Sequence, residues 1–317
     1  MTMKNDIIDI LCATDDNYCV PLSVLITSII ANKDKDRKIR FFIIDGGITE
    51  EKKKKLYSLS SDCVDIIILS VSIEEQLQQY ELPDESYHSV AMYYRVFASE
   101  ILPNDVDRIL YLDCDMIVKK DLIDLYNENF DNNLAIGCRD IHEKQCRERL
   151  GLDLYINSGM MMINLKGWRE ENIQSRFVDY IRGNSESIVW HDQDIINCVL
   201  SGRIKITDNR WNVQVCTFCD SEEQNIIGRD GFIIHYISSK KPWVIGVFHP
   251  FFDDYQYYLS ISPFSEIKFR RWEYMFNDLK KTILMKVFNL LIPDHSKRKK
   301  LFLKGYDSFL NHFIIDD

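Results

Sequence analysis

Arg108-Ile109-Leu110-Tyr111-Leu112-Asp113-Cys114-Asp115-Met116-Ile117-Val118 is an apolar run interrupted by two carboxylates one residue apart. Side chains of extended backbone alternate between faces, so Asp113 and Asp115 are expected on one side, at the end of a buried strand. Carboxylate oxygens are hard ligands suited to Mg²⁺ or Mn²⁺, ions that leave coordination positions open to phosphate oxygens. The spacing alone is common in this chain, recurring at Asp34/Asp36, Asp105/Asp107 and Asp192/Asp194. What separates Asp113/Asp115 is the apolar strand in front of it.

Upstream, the pattern alternates strands with helices. Ile7 to Ala13 reads as a buried strand, followed by the polar turn Thr14-Asp15-Asp16-Asn17 and a helix opened by Pro21. Ile39 to Ile44 is a second strand. Thr49 is the expected N-cap of a charged helix reaching about Ser60, and Val64 to Leu69 is a third strand. A further helix is expected over Met92 to Leu102, before the strand Ile109 to Leu112. Strands separated by helices predict an α/β fold with a mostly parallel sheet covered on both faces. Ligands of such sheets lie beyond the carboxyl ends of the strands, which puts Thr14 to Tyr18 on the same rim as Asp113 and Asp115. No Gly-x-Gly-x-x-Gly follows the first strand and no Walker-type loop is present. A bound diphosphate would therefore need a metal and cationic side chains.

With 317 residues and 46% apolar content, the chain can bury one large domain plus an appendage. A formal charge of −10 argues against nucleic acid as a partner. Met1 to Asp6 lacks a cationic region followed by an apolar stretch, and no run approaches the ~20 apolar residues of a membrane span, so a cytoplasmic location is expected. Nine scattered cysteines fit a reducing compartment and small core residues. Cys216 and Cys219 form one Cys-x-x-Cys, without the second pair that a structural zinc site would need.

Downstream, Tyr155-Ile156-Asn157-Ser158-Gly159 leads into apolar Met160 to Leu165. Trp190-His191-Asp192-Gln193-Asp194 stands where a helix begins, a place where carboxylates also serve as caps. Phe232-Ile233-Ile234-His235-Tyr236 is a strand ending on a histidine, either a structural residue or a third metal ligand. From residue 251 a carboxyl-terminal segment is expected as a separate helical unit. Phe276, Leu279, Ile283, Val287 and Leu290 mark one helical face, and Lys268 to Lys304 holds eleven Lys or Arg against three acids. That pattern fits either a helix packed on the body or a basic interfacial helix on anionic membrane.

Taken together, these segments resemble the family 8 glycosyltransferases, retaining enzymes that include bacterial lipopolysaccharide galactosyl- and glucosyltransferases and the glycogenins. The resemblance runs from about Ile7 to Trp243, with its motifs in the family's order. It implies the GT-A type of fold: a mostly parallel, Rossmann-like sheet flanked by helices over 1–250, here followed by the basic helical extension 251–317. Ala13-Thr14-Asp15-Asp16-Asn17-Tyr18 is similar to the loop that holds uracil and ribose of a UDP-sugar. Tyr93-Tyr94-Arg95 resembles the segment whose arginine lies near donor sugar and diphosphate. Leu112-Asp113-Cys114-Asp115 resembles the metal-binding motif, and Asn157-Ser158-Gly159 with Ile163 to Trp168 the block whose asparagine faces the sugar. Asp192-Gln193-Asp194 resembles the acidic motif beside the anomeric carbon. His235-Tyr236 and Lys241-Pro242-Trp243 resemble the last metal ligand and the diphosphate-binding lysine. Ser238 stands where many relatives have glycine near the diphosphate. Tyr87-His88-Ser89 aligns ambiguously, and Arg139 to Leu154 offers no match that would name an acceptor.

The implied reaction is transfer of a hexose from a UDP-sugar to an acceptor hydroxyl on a glycan, lipid-linked oligosaccharide or glycoprotein. Asp113, Asp115 and His235 would hold Mn²⁺ or Mg²⁺, with Gln193, Asp192 and Asn157 at the sugar. The rival reading is a haloacid-dehalogenase-like phosphohydrolase, whose nucleophilic Asp-x-Asp normally ends the first strand; here about a third of the chain precedes it. A catalytically silent acceptor-binding subunit is a third reading, which the full set Asp113, Asp115, Gln193 and His235 disfavours.

Overall fold

Ile8, Ile10, Leu11 and Cys12 are all fully buried, so the first strand is covered on both faces, as its unbroken apolar sequence requires. In the computed structural model, residues 7–71, 94–184, 188–216, 230–244, 249 and 251–268 are described. Strand β1 (Ile7–Thr14) is followed by helix α1 (Cys19–Asn32), β2 (Lys38–Asp45), α2 (Glu50–Tyr57) and β3 (Val64–Leu69). Helix α1 begins two residues before Pro21, within the first turn where the missing N–H costs nothing. Thr49 occupies the N-cap position of α2, but its side chain caps nothing; its backbone N–H instead donates to Asp16 Oδ1 at 2.9 Å. Of the helix expected over Met92 to Leu102, the described part contains only α3 (Ala98–Ile101), after a turn at Tyr94 to Phe97.

Next come β4 (Ile109–Leu112), β5 (Met116–Val118), α4 (Ile123–Tyr126), β6 (Ala135–Arg139), α5 (Glu143–Leu150) and β7 (Ile156–Ile163). After them lie α6 (Leu165–Glu170), α7 (Ile173–Asn184), α8 (His191–Val199), β8 (Ile204–Ile206), a 3₁₀ turn at Asn209–Asn212, β9 (Val213–Val215), β10 (Ile233–Tyr236) and α9 (Phe252–Ser260). Seven strands form one sheet in the order β3-β2-β1-β4-β7-β6-β8. It is parallel except for β7, which runs antiparallel to both β4 and β6. The fold class is thus the expected α/β arrangement with a mostly parallel sheet. One face of the sheet rests on a core that includes Phe42, Tyr111, Met161, Trp168, Phe177 and Ile195.

A second sheet has the order β5-β10-β9. The apolar run Arg108 to Val118 contains β4 over the expected Ile109–Leu112 and a second strand beyond the aspartates. Its first half belongs to the large sheet and its second half to the small one, and Asp113-Cys114-Asp115 is the crossover. The two apolar halves explain the long hydrophobic run, since each is fully buried in its own sheet.

By contact, the chain divides into two compact units, Met1–Pro242 with His249–Lys268, and Trp243–Phe248 with Phe269–Asp317. Helix α9 therefore belongs to the first unit, where the Tyr258 hydroxyl accepts from Asn32 Nδ2 at 2.8 Å. The helical face at Phe276 to Leu290 and the basic run Lys297 to Lys300 lie outside the described residues. Among described residues, no helix is long and apolar enough to cross a membrane. Seven cysteines there are free thiols and five of those are buried, as small core residues should be. Cys216 is disulfide-bonded, and Cys219 lies outside the described residues.

Candidate active site

The crossover from the large sheet to the small one opens a cleft of about 540 Å³ at the carboxyl ends of β1 and β4. Two backbone hydrogen bonds hold its floor: Asp113 N–H donates to Gly159 O (2.8 Å) and Tyr236 N–H to Asp115 O (2.9 Å). Because β7 and β10 run beside the crossover, both carboxylates meet His235. His235 Nε2 lies 3.3 Å from Asp115 Oδ1 and 3.9 Å from Asp113 Oδ2. One ligand atom from each of the three falls within 4.8 Å of the others. Gly159 leaves the space between them open: a Cβ there would sit 2.5 Å from His235 Cε1 and 2.6 Å from Asp113 Oδ2. Two carboxylate oxygens and an imidazole nitrogen around a gap that a methyl group would fill form a donor set that could hold a divalent cation.

Cations flank this cluster. Lys241, buried, donates to Asp115 Oδ2 and, at 2.5 Å, to Tyr236 O. Burial opposes the charge on Asp115, yet Lys241 and His235 beside it hold its carboxyl well below the usual carboxylate range. Arg95 is buried too and donates from Nη2 to Asp113 Oδ1 (2.8 Å) and from Nη1 to Ser158 O (2.8 Å). Its Nε lies 3.1 Å from Asp192 Oδ2, and its guanidinium sits 4.3 Å above the Tyr111 ring. Burial disfavours that cation, but Asp113 and Asp192 outweigh it and keep the guanidinium firmly protonated.

The far wall is built from amides. Gln193 Oε1 accepts from Ser158 N–H (3.0 Å) and Asn157 Nδ2 (3.1 Å), while Gln193 Nε2 donates to Asp140 Oδ2 and Tyr155 OH, both 3.2 Å. Asp192 is 5% exposed, accepts from Ser158 Oγ at 3.1 Å, and has its carboxyl pushed up by burial. The two acids of Asp192-Gln193-Asp194 part company here. Asp194 faces the interior, accepting from Val189 N–H, Trp190 N–H, Arg149 and Tyr155 OH. Its role matches the capping alternative.

The structure brings nearly all the sequence-named residues into this one cleft. Ala13, Thr14, Asp15, Tyr18, Arg95, Asp113, Cys114, Asp115, Asn157, Asp192, Gln193, His235, Ser238 and Lys241 line it. Asn17 does not; its amide donates to Asp15 Oδ2 at 3.3 Å. Ser238 has φ +72°, a left-handed conformation that costs a non-glycine residue of the order of 1–3 kcal/mol and that glycine adopts freely. Tyr111, Ser158, Trp190, His191 and Ile237 also line the cleft, though sequence reading assigned them no role in it. Tyr111 carried a signal, being the one polar tip in an apolar strand; it donates to Asp113 Oδ1 at 2.8 Å. His88 and Tyr93 lie outside the described residues.

Comparison with known proteins gives the family and the fold. General stress protein A of Bacillus subtilis (strain 168) is 27% identical over 280 residues, covering 83% of this chain and 97% of that protein. A lipopolysaccharide 1,2-glucosyltransferase of Escherichia coli is 28% identical over 271 residues, 81% of this chain and 79% of that protein. The crystal structure of the galactosyltransferase LgtC with donor and acceptor sugar analogs superposes with a TM-score of 0.67 at 24% identity, over 80% of this chain and 96% of that one, and shows a shared fold. The family description "Glycosyl transferase family 8" matches residues 9–245, the stretch that contains every residue of the cleft, and the chain belongs to that family.

Proposed function

We propose that this protein transfers a hexose, glucose or galactose, from a UDP-sugar to an acceptor hydroxyl with retention of configuration, as a lipopolysaccharide or related glycan transferase. The observation that carries the reading is the meeting, in one cleft, of the Asp113/Asp115/His235 cluster, two buried cations and a charge-free Gln193. Four lining carboxylates (Asp15, Asp113, Asp115, Asp192) face two permanent cations (Arg95, Lys241), an excess of two negative charges that would repel a diphosphate. A divalent cation cancels that excess. Asp113, Asp115 and His235 would hold it, and when bound it would supply Lewis-acid stabilisation of the departing UDP.

The chain's own residues account for the rest. Lys241 and Arg95 stabilise charge developing on the diphosphate. The loop Ala13 to Tyr18, with Cys114 and Ser238, encloses the nucleotide. Gln193 presents an amide where a double-displacement enzyme needs a carboxylate, and the nearest acid, Asp192, is held by Arg95 and Ser158. That arrangement favours front-face attack by the acceptor, with Gln193, Asp192 and Asn157 orienting the oxocarbenium-like sugar. The acceptor is a glycan, lipid-linked oligosaccharide or glycoprotein, met in the cytoplasm. The carboxyl-terminal segment 251–317, with its cations at Lys268 to Lys304, would dock on anionic membrane. The phosphohydrolase reading falls with family membership; in that class the Asp-x-Asp normally ends the first strand, whereas here it follows β4. A screen of UDP-sugars by released UDP, with Mn²⁺ and with EDTA, tests the proposal. Release from UDP-glucose or UDP-galactose that EDTA abolishes is expected; release from none, or full activity in EDTA, refutes it.

A further inference from the structure

Lys52 is the third residue of α2, at the end of a helix where the free N–H groups favour an anion and disfavour a cation. Its partner accounts for it. Lys52 Nζ donates to Asp16 Oδ2 at 2.6 Å and to the Asp16 carbonyl at 2.9 Å, and Asp16 Oδ1 accepts the Thr49 backbone N–H at 2.9 Å. Since the Thr49 side chain caps nothing, Asp16 caps α2 from another segment, 33 positions away. Asp16 belongs to the loop between β1 and α1. Thr14, Asp15 and Tyr18 of that loop line the cleft, whereas Asp16 is absent from the walls and turns to α2. The backbone at the start of the loop is clamped as well: Gly46 N–H donates to Thr14 O at 2.8 Å, and a Cβ on Gly46 would lie 2.9 Å from that oxygen. Tyr18 N–H in turn donates to Asp15 Oδ1 at 2.9 Å, which ties the cleft-lining Asp15 side chain to the loop's far end.

We infer that Lys52, which does not line the cleft, is a positioning residue for the donor nucleotide: through Asp16 it latches the loop Thr14 to Tyr18 onto the start of α2 in the shape that UDP meets. Its effect on the substrate rests on the UDP-sugar reading above, whereas the latch does not. A loop that must be ordered before it binds lowers apparent affinity by the fraction that is ordered. Loss of the latch therefore weakens UDP binding and leaves the chemistry at Gln193 alone. Both side chains are about a third exposed, so the pair alone is worth about 2–5-fold in such an equilibrium.

Lys52→Met in the full chain keeps the aliphatic stem and removes the charge. In the ligand-free protein, NMR-detected hydrogen exchange at the Tyr18 and Thr49 amides should quicken about 2–5-fold. With Mn²⁺ present, the UDP dissociation constant measured by calorimetry and KM for the UDP-sugar should rise by a similar factor, while kcat holds. Lys52→Arg keeps the charge and should restore both. Asp16→Asn should also weaken UDP binding, and joining it to Lys52→Met should add little further, because both remove the same pair. A folded Lys52→Met protein with wild-type UDP affinity overturns the inference, whatever its melting temperature or loop exchange. So does a fall in kcat at unchanged KM. Faster loop exchange in Lys52→Met, in a protein whose unsubstituted form binds no UDP, would sink the nucleotide reading and leave the latch standing.

Discussion

Gly159→Ala puts one methyl group into the centre of the site and nothing else. The added Cβ would lie 2.5 Å from His235 Cε1, 2.6 Å from Asp113 Oδ2 and 3.0 Å from Asn157 Oδ1, against ordinary contacts beyond 3.4 Å. Each neighbour is itself held, His235 by Asn212, Asp113 by Arg95 and Tyr111, Asn157 by Asp140, so relief requires displacements of roughly 0.5–1 Å shared among them. Overpacking of this kind costs about 1–3 kcal/mol, a few degrees in melting temperature for a body of this size. Misplacement near 1 Å costs on the order of 10²-fold in rate, and disturbed ligands lose about 10–100-fold in metal affinity. The expected variant is therefore folded, slightly less stable, and poor at both Mn²⁺ binding and turnover. Thermal melting, Mn²⁺ titration and UDP release on the same preparation separate these effects. Wild-type metal affinity and turnover in a folded Gly159→Ala protein would refute the placement of the metal between these side chains.

Asp113→Asn should reduce UDP release on the order of 10²-fold and destabilise less than Asp115→Asn, because buried Arg95 keeps Asp192 as a partner whereas buried Lys241 loses its carboxylate. His249 offers a pH prediction. Burial, reinforced by Lys241, lowers its imidazole from 6.5 to about 4. The unfolded chain therefore binds the extra proton first, so stability is full above pH 6.5 and falls between pH 6.5 and about 4, by about 3 kcal/mol in all. Urea unfolding across that window should show the slope, and a folded His249→Gln variant should flatten it. Finally, a chain ending at Lys268 keeps Phe264, which is buried, and the Lys55–Glu266 pair, so it should retain UDP-sugar hydrolysis. It should lose binding to anionic vesicles, at roughly 1 kcal/mol per basic residue removed; unchanged vesicle binding would refute membrane docking by this segment.

Much of this site is legible in the sequence because its chemistry sits at the ends of strongly patterned strands. The apolar runs Ile7 to Ala13 and Ile109 to Leu112 are enough to put the Asp15 loop and Asp113/Asp115 on one rim, where the fold holds them. What local pattern could not show was the change of sheet at Cys114, because two buried strands in different sheets read as one apolar run. Nor could it separate Asp192 from Asp194, since the difference lies in which partner each meets: Arg95 in the cleft, Arg149 and Tyr155 beneath it. Asn212 and Asp140 escaped for the same reason. Each is an ordinary polar residue at a turn or strand end, and its role comes from contacts 55 and 17 positions away in sequence.

The central claim, transfer from a UDP-hexose with retention, can be read directly without knowing the acceptor. Water serves as a slow acceptor, and ¹H NMR resolves the anomers of the released hexose before they equilibrate. With Mn²⁺ and α-linked UDP-glucose or UDP-galactose, the first-formed product should be the α-hexose, at a rate above that of the Asp113→Asn protein. First-formed β-hexose would contradict retention and with it the front-face role of Gln193.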